Sequence, residues 1–126
     1  MKVKAVAPWF GGKRTLASDI VQQLGSHSQY FEPFCGSAAV LFAKEASQKE
    51  TVGDLHRDLI NLLWCVADPA IAPQLYERLQ RAPFSEQLLD EARRQLADSA
   101  PVEADVLGSV PGRKDQDRAY WYFITS

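Results

Sequence analysis

The amino-acid sequence predicts an α/β fold that begins as a doubly wound parallel sheet, and three observations lead to this prediction. A short aromatic segment, 30–34, is typical of a buried strand and ends in a Cys-Gly-Ser turn. A small-residue segment, 38–46, predicts a helix after that turn. A second β-rich segment, 50–53, leads directly into Asp54 and a further amphipathic helix. Strand, turn, helix, strand, acid and helix in this order are typical of such a sheet.

One helix precedes this unit. Leu16, Ile20 and Leu24 recur every four residues, which predicts an amphipathic helix that ends near Gly25. Residues 2–6 alternate charged and apolar side chains, which allows a short extended segment at the start of the chain.

The second half of the chain is predicted to be helical. Residues 55–66 form one predicted helix, and two more flank Pro83, with Ser85 suited to cap the second of them. Residues 98–117 are poor in large apolar side chains and contain two prolines and two glycines, so we expect a long mobile loop there. Periodicity alone does not distinguish helix from strand for the aromatic run 119–124.

Composition limits the class of protein. The 126 residues are enough for one domain, and the 14 basic against 16 acidic residues leave a net charge of -2. This balance excludes a DNA binder that acts through bulk positive charge, although a local basic cluster remains at Lys2, Lys4, Lys13 and Arg14. The sequence has no apolar run near eighteen residues and no signal-peptide pattern, so we expect no membrane partner and a cytoplasmic location.

Few side chains are suited to metal or thiol chemistry. Cys35 and Cys65 lie among apolar residues, which predicts two buried free thiols rather than a disulfide. His27 and His56 have no partner at metal-ligand spacing, so no metal site is expected.

The turn 32–38 is the first candidate site. A ligand over the carboxyl end of a parallel strand requires a close approach of the backbone, which Gly36 permits. Exposed amides at the start of the following helix favour a negatively charged group. A plain strand-to-helix turn is the alternative interpretation.

Asp54 is the second candidate, since it follows the second predicted strand. An acid in that place accepts hydrogen bonds from both hydroxyls of a bound ribose. Its alternative role is to cap the next helix. On that helix, Asp58 is expected to lie at the surface and Asn61 to take part in helix packing. The turn and the acid together favour a cofactor that contains adenosine.

The third candidate is the segment 8–15, Pro-Trp-Phe-Gly-Gly-Lys-Arg-Thr. It is not a phosphate-binding P-loop, because Ala7 and Arg14 stand where that pattern requires Gly and Ser or Thr. Lys13 is suited to pair with a ligand carboxylate, and Trp9 to cover an adenine or a cation. The alternative is a surface turn whose tryptophan packs on the core.

These three segments, in this order, resemble the Dam-like family of adenine-specific DNA methyltransferases. The matching stretches are PWFGGKR at 8–14, YFEPFCGSAAVLF at 30–42 and GDLHRDLIN at 53–61, and RAYWYFIT at 118–125 is similar to an aromatic helix late in the family's target-recognition region. The resemblance implies the N-terminal part of a Rossmann-like, S-adenosylmethionine-dependent methyltransferase fold. Residues 1–66 would be the cofactor-binding portion, and 67–126 would begin the target-recognition region.

The resemblance also implies a reaction and a set of site residues. The cofactor would be S-adenosylmethionine and the substrate double-stranded DNA, with methyl transfer to the N6 amine of adenine. The residues carried over to the cofactor site are Trp9, Lys13, Phe34, Gly36 and Asp54. The family's second turn glycine falls on Ala38, whose methyl group is expected to crowd the methionine end of the cofactor.

The sequence departs from the family in one further respect, since the Asp-Pro-Pro-Tyr motif that binds the target amine does not occur in it. Asp-Pro-Ala-Ile at 68–71 is the nearest string. We therefore expect an incomplete N-terminal portion from a bacterium or phage, with no catalytic residue of its own. Alone it should bind S-adenosylmethionine weakly or not at all and should not methylate DNA.

Two other functions stay open. One is a non-catalytic interaction or regulatory protein that self-associates through a sheet edge and the aromatic residues 120–123. The other, a nucleotide-dependent oxidoreductase, is disfavoured because the turn after Phe34 lacks the dinucleotide glycine pattern.

Overall fold

The computed structural model describes residues 4–8, 11–99 and 114–126. The chain divides after Leu55 into two compact units. The first contains α1 (Ala17–Leu24), β1 (Gln29–Glu32), α2 (Ala39–Ala43) and β2 (Lys49–Val52), and the second contains α3 (Arg57–Ala67), α4 (Ala72–Arg81), α5 (Glu86–Asp98) and α6 (Gln116–Thr125). None of these helices is long and apolar enough to cross a membrane.

The first unit is a parallel β-α-β arrangement. β1 pairs with β2 in parallel, from Gln29 opposite Lys49 to Glu32 opposite Val52, and α2 lies in the connection between them. This confirms the predicted order of strand, turn, helix and strand. α1 packs against α2 and ends at Gly25, whose φ of 63° is in the left-handed region that favours glycine. The small core consists of Ala17, Ala39 and Val40, with Ile20, Val21, Tyr30 and Ala43 packed around it.

The prediction of a fully buried first strand over 30–34 is wrong in two respects. β1 ends at Glu32, because the Pro33 that follows has no N–H to donate to the ladder. Side chains alternate between the two faces of a strand, and here Glu32 is buried whereas Phe31 is 69% exposed. The helix predicted over 38–46 is also shorter, since Ala38 has a φ of 62°, outside the helical region, and α2 ends at Ala43.

The second unit is helical, and α6 packs against α3, α4 and α5. Its buried apolar residues include Leu59, Leu62, Leu75 and Ala92. α3 begins two residues later than predicted because His56 caps it, with the Leu59 N–H donating to the His56 ring nitrogen Nδ1 at 3.2 Å. The predicted cap of α5 is confirmed, since Ser85 Oγ accepts from the Leu88 N–H at 3.2 Å.

The predicted loop 98–117 is too long at both ends. Asp98 is the last residue of α5, and Gln116 begins α6, whose cap Asp115 accepts from the Arg118 N–H at 2.9 Å. Residues 100–113 lie outside the described residues, so the expected mobility there stays a prediction. The aromatic run 119–124 is helical, as the family resemblance implies.

Two buried polar residues fix α6 within this unit. The Arg118 guanidinium donates to both carboxylate oxygens of Asp58, at 2.5 and 3.2 Å, and to Ser99 Oγ at 2.8 Å. Asn61 exchanges two hydrogen bonds of 2.8 and 2.9 Å with the backbone of Asp115. Asp58 is therefore an ion-pair partner rather than the surface residue expected from the sequence, whereas Asn61 serves packing as expected.

Candidate functional site

The candidate site begins where the two parallel strands end. The Gly53 N–H donates to the Glu32 carbonyl at 2.8 Å, and the Cys35 N–H donates to the Gly53 carbonyl at 2.9 Å. These two bonds continue the pairing of β1 and β2 beyond their last residues. A Cβ placed on Gly53 would lie 3.6 Å from the Pro33 carbonyl oxygen, an ordinary contact distance. The segment after β1 and the segment after β2 therefore lie side by side at one edge of the sheet.

Asp54 and Gly36 meet at this edge. The Gly36 N–H donates a hydrogen bond of 3.0 Å to Asp54 Oδ2, and Gly36 has a φ of 51°, a conformation that L side chains rarely adopt. The cap of α3 is His56, so the alternative role considered for Asp54 does not apply. The structure thus brings together two of the predicted site residues.

Lys13 also contacts this turn. Its ammonium Nζ donates to the Phe34 carbonyl at 2.6 Å and lies 3.1 Å from Glu32 Oε1, within ion-pair distance. The sequence predicted that Lys13 would pair with a ligand carboxylate, and in the structure its partners belong to the protein itself. Lys13, Phe34, Gly36 and Asp54 therefore lie in one neighbourhood of the first unit. Trp9, the remaining predicted site residue, lies outside the described residues.

Glu32 is the first residue of the candidate turn 32–38, but the sequence assigned it no role of its own. Its carboxylate is buried, with 7% of the residue exposed, and Oε2 accepts a hydrogen bond of 2.6 Å from the Tyr30 hydroxyl. Oε1 is buried and accepts no hydrogen bond, because its contact with Lys13 has the distance of an ion pair without hydrogen-bond alignment. The available signal was an acid at the last position of a strand, directly before a proline.

Tyr30 is itself held in place from its other side. The Lys44 ammonium lies 4.6 Å from the centre of the Tyr30 ring, and it is fixed by Glu50 Oε2 at 2.6 Å and Ser47 Oγ at 2.8 Å. Burial and, next, the hydrogen bond to Glu32 raise the pKa of Tyr30 far above its usual range. Its hydroxyl consequently stays protonated and remains a donor.

Two exposed apolar side chains border the predicted binding residues. Phe34, in the turn, is 70% exposed, and Leu55, directly after Asp54, is 90% exposed. Apolar surface at these two positions offers a stacking partner for a flat, aromatic ligand group. Cys35, in the same turn, is buried, and burial raises the pKa of its thiol to about 11, which makes it a poor nucleophile.

The comparison with known proteins identifies the family of the chain. The model of the D12 class of N6 adenine-specific DNA methyltransferases matches residues 9–98, which include Lys13, the turn and Asp54. The chain belongs to this family. Among curated proteins, a Type II methyltransferase, M.MjaIII from Methanocaldococcus jannaschii, is 36% identical over 69 aligned residues. The match takes in 48% of this chain and 24% of the relative, so the chain spans about a quarter of that protein's length. No solved structure matches the chain.

The resemblance predicts a glycine of the family at the position of Ala38, and the backbone of Ala38 has a conformation that favours glycine. Ala38 has a φ of 62° and a ψ of 31°, in the left-handed region, and it is fully buried. Its N–H donates to the Cys35 carbonyl at 2.9 Å, which closes the turn before α2. That the Ala38 methyl group crowds the methionine end of a cofactor stays a prediction.

Within the described ranges, no group of three or more His, Cys, Asp or Glu side chains could hold a metal ion.

Proposed function

We propose that these residues form the cofactor-binding part of an adenine-specific DNA methyltransferase. Membership of the D12 class supports this, and the observation that carries it is the hydrogen bond from the Gly36 N–H to Asp54 Oδ2. That bond joins the turn after β1 to the acid after β2, the two places from which a parallel sheet binds the sugar and the linking atoms of an adenosine cofactor. The Rossmann-like architecture of the complete domain is part of the proposal.

Each site residue has a distinct role in this proposal. Asp54 accepts hydrogen bonds from the ribose hydroxyls, and Gly36 allows the ligand to approach the backbone. Lys13 binds the carboxylate of the methionine part through a charge-assisted hydrogen bond. Phe34 and Trp9 supply apolar cover.

S-adenosylmethionine, when bound, supplies a methyl group on a positively charged sulfur, which the N6 amine of adenine in double-stranded DNA accepts in a single displacement. The buried Glu32 carboxylate and the Phe34 carbonyl fit such a cationic ligand, since both present oxygen atoms at the turn. These 126 residues contain no Asp-Pro-Pro-Tyr string, so none is given a catalytic role. By itself the chain should bind the cofactor weakly or not at all and transfer no methyl group. Its proposed location is the cytoplasm of a bacterium or of a phage host.

The division into a cofactor-binding portion, 1–66, and the start of a target-recognition region, 67–126, is likewise proposed. It is a functional division and differs from the boundary between the two compact units, which lies after Leu55. α3 would then contribute to both functions.

The competing function is a non-catalytic protein that acts by self-association. It requires the aromatic residues 120–123 to be available to a partner. Tyr120 is buried against neighbouring helices of the second unit, and the three residues after it are half-buried. This packing argues against the aromatic residues as the surface of self-association. The other surface of this alternative is the sheet edge, and light scattering at micromolar concentration tests for self-association through either.

The proposal is tested by titrating the chain with S-adenosylmethionine and following backbone amides by NMR. We expect weak binding, with the largest shifts at Gly36 and its neighbours. Asp54→Ala should abolish the shifts, whereas Asp19→Asn, at an exposed acid on α1, should leave them unchanged. Tight binding that survives Asp54→Ala would overturn the site assignment.

A further inference from the structure

We propose that Tyr30 is a positioning residue of this site, whose hydroxyl orients Glu32 so that the second carboxylate oxygen receives the ammonium group of an α-amino acid ligand. The inference rests on the proposed function and goes beyond it, because it assigns binding of the ligand ammonium to Glu32 and a positioning role to Tyr30, both residues of β1.

The state of the Glu32 carboxylate is the first step. A buried carboxylate is stable only when its oxygens accept hydrogen bonds or face a cation. Tyr30 satisfies Oε2 with a hydrogen bond of 2.6 Å, whereas Oε1 is buried, faces the Lys13 ammonium at 3.1 Å and accepts no hydrogen bond. An oxygen in this condition favours a ligand that brings an N–H donor with a positive charge.

The surroundings of the Lys13 ammonium show what such a ligand would meet. Its Nζ lies beside a carboxylate oxygen, Glu32 Oε1, and a carbonyl oxygen, that of Phe34. An α-ammonium group, with three donors, suits the same two acceptors. A ligand with both an ammonium and a carboxylate can therefore exchange with this ion pair. Its ammonium takes the two oxygens, and the flexible, partly exposed Lys13 turns to its carboxylate.

This exchange keeps every charge paired. Before binding, Lys13 pairs with Glu32, and the ligand's two charges are in water. After binding, the ligand ammonium pairs with Glu32 and its carboxylate with Lys13, so no buried charge is left alone. A ligand without the amino acid part gains nothing from the exchange, and the pair of residues thus discriminates between the two kinds of ligand.

Tyr30 acts on the ligand only through Glu32. Its ring is fixed by packing in the core of the first unit and by the Lys44 ammonium on its face. The hydroxyl then holds one rotamer of the Glu32 side chain, with Oε1 towards Lys13. Without the Tyr30 hydroxyl, Oε2 would also lack a hydrogen-bond donor, and the Glu32 carboxylate could rotate away from Lys13.

The test compares two ligands on the full chain. S-adenosylhomocysteine carries the complete amino acid part, and 5′-methylthioadenosine is the same adenosine thioether without it. Tyr30→Phe keeps the ring and removes only the hydroxyl, and Glu32→Gln keeps the shape and removes the charge. Tyr76→Phe, at an exposed tyrosine of α4, is the matched control.

We expect Tyr30→Phe to weaken binding of S-adenosylhomocysteine about tenfold, and Glu32→Gln to weaken it further, with binding of 5′-methylthioadenosine unchanged in both. Tyr76→Phe should alter neither ligand. An equal loss for the two ligands, or no loss in either, would overturn the role of Tyr30. If the unsubstituted chain binds neither ligand, this inference fails, whereas the proposed function, which allows the chain alone not to bind, does not. If Asp54→Ala weakens both ligands while Tyr30→Phe and Glu32→Gln do not discriminate, only this inference fails.

Discussion

The Gly36 N–H donates to Asp54 Oδ2 at 3.0 Å across 18 residues of sequence. The bond follows from the topology, because parallel strands joined by a helix place both of their carboxyl ends at the same edge. The left-handed φ of 51° at Gly36 turns its N–H towards the acid. The conformation of the turn therefore depends on the carboxylate to which we assign the ribose of the cofactor.

The first prediction concerns the order of this turn. Asp54→Ala removes the acceptor of the Gly36 N–H, so we expect amide hydrogen exchange at Gly36 to become faster by at least an order of magnitude. The free energy of unfolding should fall by about 1–2 kcal/mol, the usual effect of a lost hydrogen bond to a charged group. Urea unfolding and NMR exchange measure the two quantities.

Asp19→Ala is the control for this experiment, since Asp19 is an exposed acid in the first turn of α1. It should leave exchange at Gly36 unchanged. Equal exchange rates in the Asp54→Ala variant and the unsubstituted chain would show that the bond does not order the turn.

The second prediction concerns the strained alanine of the turn. Ala38 occupies the left-handed region at a cost of about 1–2 kcal/mol, which glycine does not incur. Ala38→Gly should therefore raise the free energy of unfolding, by up to about 1 kcal/mol once the extra freedom of glycine in the unfolded chain is subtracted. Thermal and urea unfolding provide the measurement.

Ala39→Gly is a matched control one residue later. Ala39 is also buried but begins α2, where glycine destabilises a helix by about 1 kcal/mol. The two substitutions should thus have opposite signs. A loss of stability in Ala38→Gly equal to that in Ala39→Gly would contradict the strain at Ala38.

The third prediction concerns the buried ion pair of the second unit. Arg118→Met leaves Asp58 without its partner, so we expect a loss of about 3–5 kcal/mol in the free energy of unfolding. The double variant Arg118→Met with Asp58→Leu should recover much of this loss, because no unpaired charge is then buried. Chemical denaturation of the three proteins measures both effects.

The exposed pair of Arg93 and Asp90 on α5 is the control, and Arg93→Met should change stability by less than about 0.5 kcal/mol. If Arg118→Met behaves in the same way, the pair contributes no more than a surface contact, and the fixation of α6 must have another cause.

The order of elements could be predicted from the sequence because it depends on local signals. The four-residue spacing of Leu16, Ile20 and Leu24 predicts a helix, and α1 forms there although Leu16 and Leu24 are 57% and 43% exposed. Ser85 caps α5 through a residue only three positions away. Motif order likewise placed Gly36 and Asp54 at one site.

The remaining features depend on contacts between distant residues or on backbone geometry. Arg118 pairs with Asp58 across 60 residues of sequence, and a periodic pattern of residues does not predict a contact over that separation. The role proposed for Glu32 depends on the Tyr30 hydroxyl and the Lys13 ammonium, which contact its two carboxylate oxygens. The left-handed conformation of Ala38 could not be predicted from residue type, because alanine rarely adopts it and Ala38 lies in a run of small residues.

The fourth prediction concerns the pH dependence of the two thiols. Burial, followed for Cys35 by the charges of Asp54 and Glu32, raises the pKa of the Cys35 thiol from 9.0 to about 11, and burial raises that of Cys65 to about 11 as well. Only the thiolate reacts with disulfide reagents. We therefore expect slow labelling of the folded chain at about pH 8 and a steep rise only towards pH 11, whereas the chain in urea should label fast near pH 9.

The same shift has a consequence for stability. The folded state holds the thiol protons more tightly than the unfolded state, whose thiols ionise near 9.0. The contribution of each buried thiol is complete below about pH 9 and is lost as the pH rises towards 11, so the free energy of unfolding should fall across that interval. In the Cys35→Ala, Cys65→Ala double variant this fall should be smaller. An identical pH profile for the variant and the unsubstituted chain would show that the two thiols ionise alike in the folded and unfolded states.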